Sequence, residues 1–172
     1  MPLKTKSGLK RKTALKATNK KRPKQTIPAL TKKADKEFSR YIRLRDSNYD
    51  GSKWVGECIT CERVMVIIDS EGNWRPGANL GHFIGRGCKE LRYDEFNTNL
   101  QCAHCNAWLD KEEMLQRYRK GIVSKYGDSI LKELKLRAKI IRTSKREELE
   151  QIIADSKMEV AHMLDHPDNY RV

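Results

Sequence analysis

Apolar positions in this chain fall into short groups, and their spacing changes from one group to the next. Ala34, Phe38, Tyr41 and Ile42 recur at helical intervals up to the turn-rich stretch 46–51, and Thr31 stands where an N-cap belongs, which predicts a first helix. Val64, Met65, Val66, Ile67 and Ile68 form an unbroken apolar run that reads as a strand. The polar stretch 69–73 predicts a turn, and Trp74 would open a return strand. Residues 76–79 read as a loop leading into a short strand over 80–84. Farther on, Asn106 opens a helix carrying Leu109, Met114, Leu115 and Tyr118 and ending at Gly121. Leu131, Leu134, Ala138 and Ile141 share one side of a helix from 129 to about 142. A last helix starts at Ser144 as a capping box with Glu147, carries Leu149, Ile152 and Ile153, and breaks at 165–168.

The 172 residues suit one domain with appendages, and 38% hydrophobic residues suits one modest core. We divide the chain into a flexible arm over 1–28, a core with its leading helix over 29–127, and a helical extension over 128–172. The formal net charge of +13 and the pI near 9.6 favour a polyanionic partner, nucleic acid before membrane. No run approaches the roughly 18 apolar residues of a spanning helix, and the first residues lack an apolar signal core, so a cytoplasmic protein without membrane contact is expected. The arm concentrates the positive charge. Lys10, Arg11, Lys12, Lys20, Lys21 and Arg22 stand there with no acidic residue before position 35. A segment so poor in large apolar residues stays disordered alone. It is either a solubilising tail or, as the overall charge favours, an arm that follows a phosphate backbone without reading sequence. The flexible stretch with Arg86 and Lys89, followed by Arg92, suits backbone contact as well.

Five cysteines are present, and four form two C-x2-C pairs, Cys58 with Cys61 and Cys102 with Cys105. Each such pair supplies two corners of a thiolate tetrahedron from one turn, so the four together predict a structural Zn2+ with no open coordination position. A disulfide or redox role is the competing reading. It fits a reducing compartment less well, and Cys88 is left as a free thiol.

Between and around the pairs stand Gly81-His82-Phe83, Leu91-Arg92-Tyr93, Asn97, and Gln101 ahead of the second pair with Asn106 after it. This order resembles the zinc-bearing HNH, or ββα-metal, endonucleases over about residues 57–110. It resembles still more closely the lambdoid phage NinG/Rap recombination proteins, whose pattern these residues and the later Tyr126-Gly127 follow. The resemblance implies an α+β fold with a small zinc-stabilised ββα-metal core flanked by helices. It also implies roles: His82 as general base, Asn97 holding the histidine loop by side-chain hydrogen bonds, and Asn106 binding a catalytic Mg2+ or Mn2+ through its amide oxygen. Ordinary alternatives stand beside these: a structural histidine, a turn asparagine whose part Asn99 could take, and a helix cap.

One position departs from the common pattern. Many HNH nucleases place a metal ligand just before the base histidine, and Gly81 has no side chain to offer. Either water fills the place, or a carboxylate such as Asp94 or Glu95 does, and magnesium's preference for carboxylates favours the second. The function implied is a metal-dependent DNA endonuclease acting on Holliday-junction or D-loop intermediates of phage recombination in the bacterial host cytoplasm. A host recombinase is a partner to consider, and a homodimer would suit paired cuts. A general HNH nicking enzyme and a non-catalytic zinc-stabilised DNA-binding accessory protein are the alternatives.

Overall fold

A computed structural model describes residues 25–171 of the chain. The arm cations Lys10, Arg11, Lys12, Lys20, Lys21 and Arg22 lie outside the described residues. Helix α1 (Ile27–Arg45) begins one turn earlier than expected, because Thr26 takes the cap position and accepts the Ala29 amide on its side chain, with Pro28 in the first turn. Thr31 is already helical, and its hydroxyl donates to the Ile27 carbonyl. The face of α1 carrying Leu30, Ala34, Phe38 and Ile42 is buried.

The turn-rich segment after α1 is ordered into sheet. Strands β1 (Ser47–Tyr49), β2 (Trp54–Glu57) and β3 (Val64–Ile68) form one antiparallel sheet in that order. β3 has the expected limits. Trp74 makes only a single bridge to Ile68, not a strand. A second sheet pairs β4 (Ala78–His82) with β5 (Thr98–Cys102), in a register that sets Gly81 opposite Asn99 and His82 opposite Thr98. β4 therefore starts inside the expected loop and ends at His82.

Helix α2 (Ala103–Ala107) follows β5 without a gap, because the Cys102 sulfur accepts the Cys105 amide and starts the helix there. Asn106 thus lies within α2 and does not open a helix. The chain leaves helical geometry at Trp108 and resumes in α3 (Glu112–Tyr126), which runs straight through Gly121. That glycine permits close approach: a Cβ there would overlap the carbonyl and side chain of Ile59. Helix α4 (Ser129–Arg137) is shorter than expected, leaving Ile140 and Ile141 exposed. Helix α5 (Arg146–Asp165) is capped one residue later than expected, Glu148 accepting the Lys145 amide.

The central core gathers Leu44, Trp54, Ile67, Ile68, Ala78, Leu100 and Met163, so α5 contributes to the middle of the molecule. Leu91 packs with Tyr118, Ile122, Ile130, Leu131 and Leu134 from α3 and α4, while Leu30 and Ala34 pack on Leu149 and Ile153 from α5. Helices α4 and α5 are thus part of the same packed body. The architecture is mixed α+β. No helix among the described residues is long and apolar enough to cross a membrane.

Candidate functional site

The β2–β3 turn and the β5–α2 junction meet through their cysteines. The sulfurs of Cys58, Cys61, Cys102 and Cys105 all lie within 4.8 Å of one another, and Cys61 and Cys102 stand 3.9 Å apart. Four sulfurs at about 2.3 Å from a tetrahedral zinc would be separated by about 3.8 Å, so the set fits that ion. The Cys102 amide donates to the Cys58 sulfur at 3.3 Å, and the Cys105 amide to the Cys102 sulfur at 3.4 Å. Burial raises the thiol pKa of Cys58 and of Cys105. Four thiolates share such a space when a divalent ion neutralises them. The four cysteines form a site placed to hold a metal ion, consistent with structural zinc.

The ladder beyond the cysteines carries His82. Its Nε2 lies 3.0 Å from the Arg92 carbonyl oxygen. A carbonyl only accepts, so Nε2 carries the proton and Nδ1 is the lone-pair nitrogen of the neutral ring. Burial, only partly offset by that carbonyl, brings the His82 pKa down to about 4, well below the ordinary 6.5.

Asn97 is fully buried and closes the loop that follows His82. Its Oδ1 accepts the Ile84 amide at 2.7 Å, and its Nδ2 donates to the carbonyls of Ile84 and Leu91, each at 2.9 Å. Asn99 makes different bonds: its Oδ1 accepts from Lys125 Nζ and the Tyr126 hydroxyl. The loop 84–91 is therefore clasped by Asn97 alone of the two.

His82 and Asn106 line one cleft of about 550 Å³, together with Lys36, Asn79 and Arg86. Asp94 and Glu95 do not line it. Asp94 accepts the amides of Phe96 and Asn97 and pairs with Arg137 at 2.7 Å, while Glu95 lies 3.7 Å from Arg45. The carboxylate in the cleft is Asp35, from α1. Its two oxygens accept from Arg92 Nε and Nη2 at 2.8 and 2.6 Å, and Oδ1 also accepts the Tyr93 hydroxyl at 3.0 Å. Burial pulls the Asp35 pKa up, but the bonds from Arg92 and Tyr93 outweigh it and hold the group below its ordinary value. Arg92, expected on DNA phosphates, has its guanidinium committed to Asp35 and to the Arg86 carbonyl. Arg86 is exposed at the rim of the cleft. Lys89 lies elsewhere, in a groove where Glu90 and Arg142 are paired.

Nothing in local sequence linked Asp35 to His82, 47 positions later; the signal was only the position of Asp35 on the polar side of an amphipathic helix. Gly81 is explained by packing. It faces away from His82, and a Cβ there would overlap the buried Gln101 side chain, whose amide nitrogen donates to Thr60 at 2.6 Å.

Fold and site define an α+β protein built around a four-cysteine metal site, with a histidine and an asparagine facing one cleft beside it. The family model described as Bacteriophage Lambda NinG protein matches residues 3–165, and the chain belongs to that family. Membership makes it a phage recombination-related protein. No curated protein and no solved structure matches the chain.

Proposed function

We propose that the chain is a metal-dependent DNA endonuclease of the HNH type that acts on branched intermediates of phage recombination, Holliday junctions or D-loops. The observation that carries this reading is the pairing of His82 and Asn106 in one cleft, with the imidazole held through Nε2 so that its basic nitrogen is Nδ1. A neutral imidazole is the form that takes a proton from an attacking water, and burial keeps it neutral at physiological pH. The Asn106 amide oxygen is the hard donor that suits Mg2+ or Mn2+, and such an ion supplies Lewis-acid stabilisation of a phosphate when bound. Asn97 fixes the loop after His82, and Asp35 fixes Arg92, whose carbonyl fixes the ring.

The test is cleavage by the purified full chain, with Mg2+ or Mn2+, of a four-way junction, a D-loop, a flap and a linear duplex. Cutting of the branched substrates that His82→Ala abolishes, with DNA binding retained, is the expected result. A His82→Ala chain that cuts like its parent refutes the base assignment, and equal cutting of linear duplex refutes the branch preference. The second reading is a zinc-stabilised DNA-binding accessory protein without cleavage. It is favoured by the commitment of the cleft's carboxylate, Asp35, to Arg92. Binding that weakens steeply with salt, with no metal-dependent cutting of any substrate, would establish it.

A further inference from the structure

The cations along α1 continue outward from the His82 cleft. Lys36 and Ser39 line that cleft, and Arg40 and Arg43 follow at the spacing that keeps residues on one side of a helix. The guanidinium groups of Arg40 and Arg43 lie 5.6 and 5.1 Å from the centre of the Trp74 ring. Arg43 Nη2 donates to the Arg75 carbonyl at 2.9 Å, which joins the helix to the segment before β4. Arg75 then borders a groove of about 410 Å³ shared with Arg63 and His104.

The charges on this strip are poorly matched. Arg40 has Glu37 at 3.4 Å and Arg75 has Asp69 at 3.5 Å, both distant for ion pairs. No carboxylate of the described residues pairs with Arg43, whose buried Nε has no hydrogen-bond partner among them. Two guanidinium groups crowded on one indole repel each other, and a polyanion relieves that cost. From Lys36 to Arg43 the helix rises about 10 Å, roughly three base steps along a strand.

We propose that this strip binds the sugar-phosphate backbone of the DNA flanking the phosphate in the His82 cleft, with Trp74 as its apolar floor. The inference deepens the endonuclease reading, and it rests on that reading only in taking DNA as the ligand. Arg40, Arg43 and Arg75 each neutralise a phosphate, and the helix directs the strand from the cleft toward the groove at Arg63.

The experiment measures binding of the full chain to a fluorescent four-way junction and a duplex in EDTA, across a salt series, so that cutting plays no part. Arg40→Gln with Arg43→Gln and Arg75→Gln is compared with a charge-matched triple on and just after α4, Lys132→Gln with Lys135→Gln and Lys139→Gln. The first triple is expected to weaken binding at least tenfold and to lower the salt slope by about 2 to 3, the second to change little. Arg40→Gln with Arg75→Gln, which leaves the half-buried Arg43 in place, is expected to fold as the parent does and lower the slope by about 2. Equal losses from both triples, an unchanged slope in the double variant, or equal competition by polyglutamate would each overturn the proposal. If the strip binds as described and no substrate is ever cut, the endonuclease reading fails and this one stands.

Discussion

Arg92 holds Asp35 and His82 at once: its guanidinium grips the carboxylate through two nitrogens at 2.8 and 2.6 Å, and its carbonyl oxygen holds the imidazole at 3.0 Å. A residue on the first helix thereby controls the orientation of a ring on the fourth strand. Asp35→Asn removes the paired acceptor and is expected to destabilise the fold by about 2 kcal/mol, as loss of hydrogen bonds to a charged group does. It should also lower the cleavage rate constant with little effect on DNA affinity, and Asp35→Glu should restore part of the rate. Denaturant titration and single-turnover cleavage check the two effects. An unchanged rate in Asp35→Asn would show that the contact serves packing alone.

Zinc content gives the second prediction. The purified chain should carry one zinc, and Cys102→Ser should lose both the ion and cooperative unfolding, because that sulfur also starts α2. Elemental analysis beside thermal melts, with and without a strong chelator, is the measurement. A cooperative fold retained without zinc would contradict the structural role.

Asp46 is expected to contribute to the loss of stability in acid. Its Oδ1 accepts from Arg45 Nε at 2.8 Å and Lys125 Nζ at 2.6 Å, and its Oδ2 accepts the Leu100 amide at 2.8 Å. Burial raises its pKa, but Arg45 and Lys125 outweigh that and hold it below the ordinary 3.8. Lys125 is itself held below its usual value, burial outweighing the attraction of Asp46, and Arg45 is the stronger of the two cations acting on the carboxylate. A lowered folded-state pKa gives stability that is full above 3.8 and is lost as pH falls through the lower folded value. Asp46→Asn should cost roughly 3 kcal/mol at neutral pH, and the gap between variant and parent should close in acid below 3.8. Urea denaturation from pH 7 to pH 2 tests it; a gap that does not change with pH counts against the assignment.

Gly121 sets helix propensity against packing. Alanine in mid-helix gains about 1 kcal/mol in propensity, whereas forcing a methyl into a closed contact costs about 1 to 3 kcal/mol. The obstructing atom is the backbone carbonyl of Ile59 inside the cysteine turn, which has little freedom to move, so packing prevails. Gly121→Ala should lower the melting temperature, and a rise would show that the turn yields.

Local signals made the cysteine turn, β3 and the long helices legible, because each is written in neighbouring residues: paired thiols, a bounded apolar run, a 3.6-residue stripe. β5 was not, and the reason is chemical. Thr98, Asn99 and Gln101 are fully buried, satisfied in part by Arg45, Tyr126 and Thr60, so the strand shows none of the apolar alternation that pattern reading relies on. β1 was hidden in the same way, its residues reading as a turn until β2 pairs with them. His82, Asn97 and Asn106 could be named from motif order, whereas Asp35 enters the cleft only because α1 crosses the second sheet. No spacing along the chain records that crossing, and the nearby Asp94 and Glu95 drew attention because they were close in sequence.

Cys102 ends a strand, starts a helix and is one of the four clustered thiols, and Asn106 lies four residues farther on. Oxidation of that sulfur to a sulfenic acid or a disulfide would remove the acceptor that starts α2, and is expected to disturb the Asn106 side of the cleft while leaving the bond that holds the His82 ring untouched.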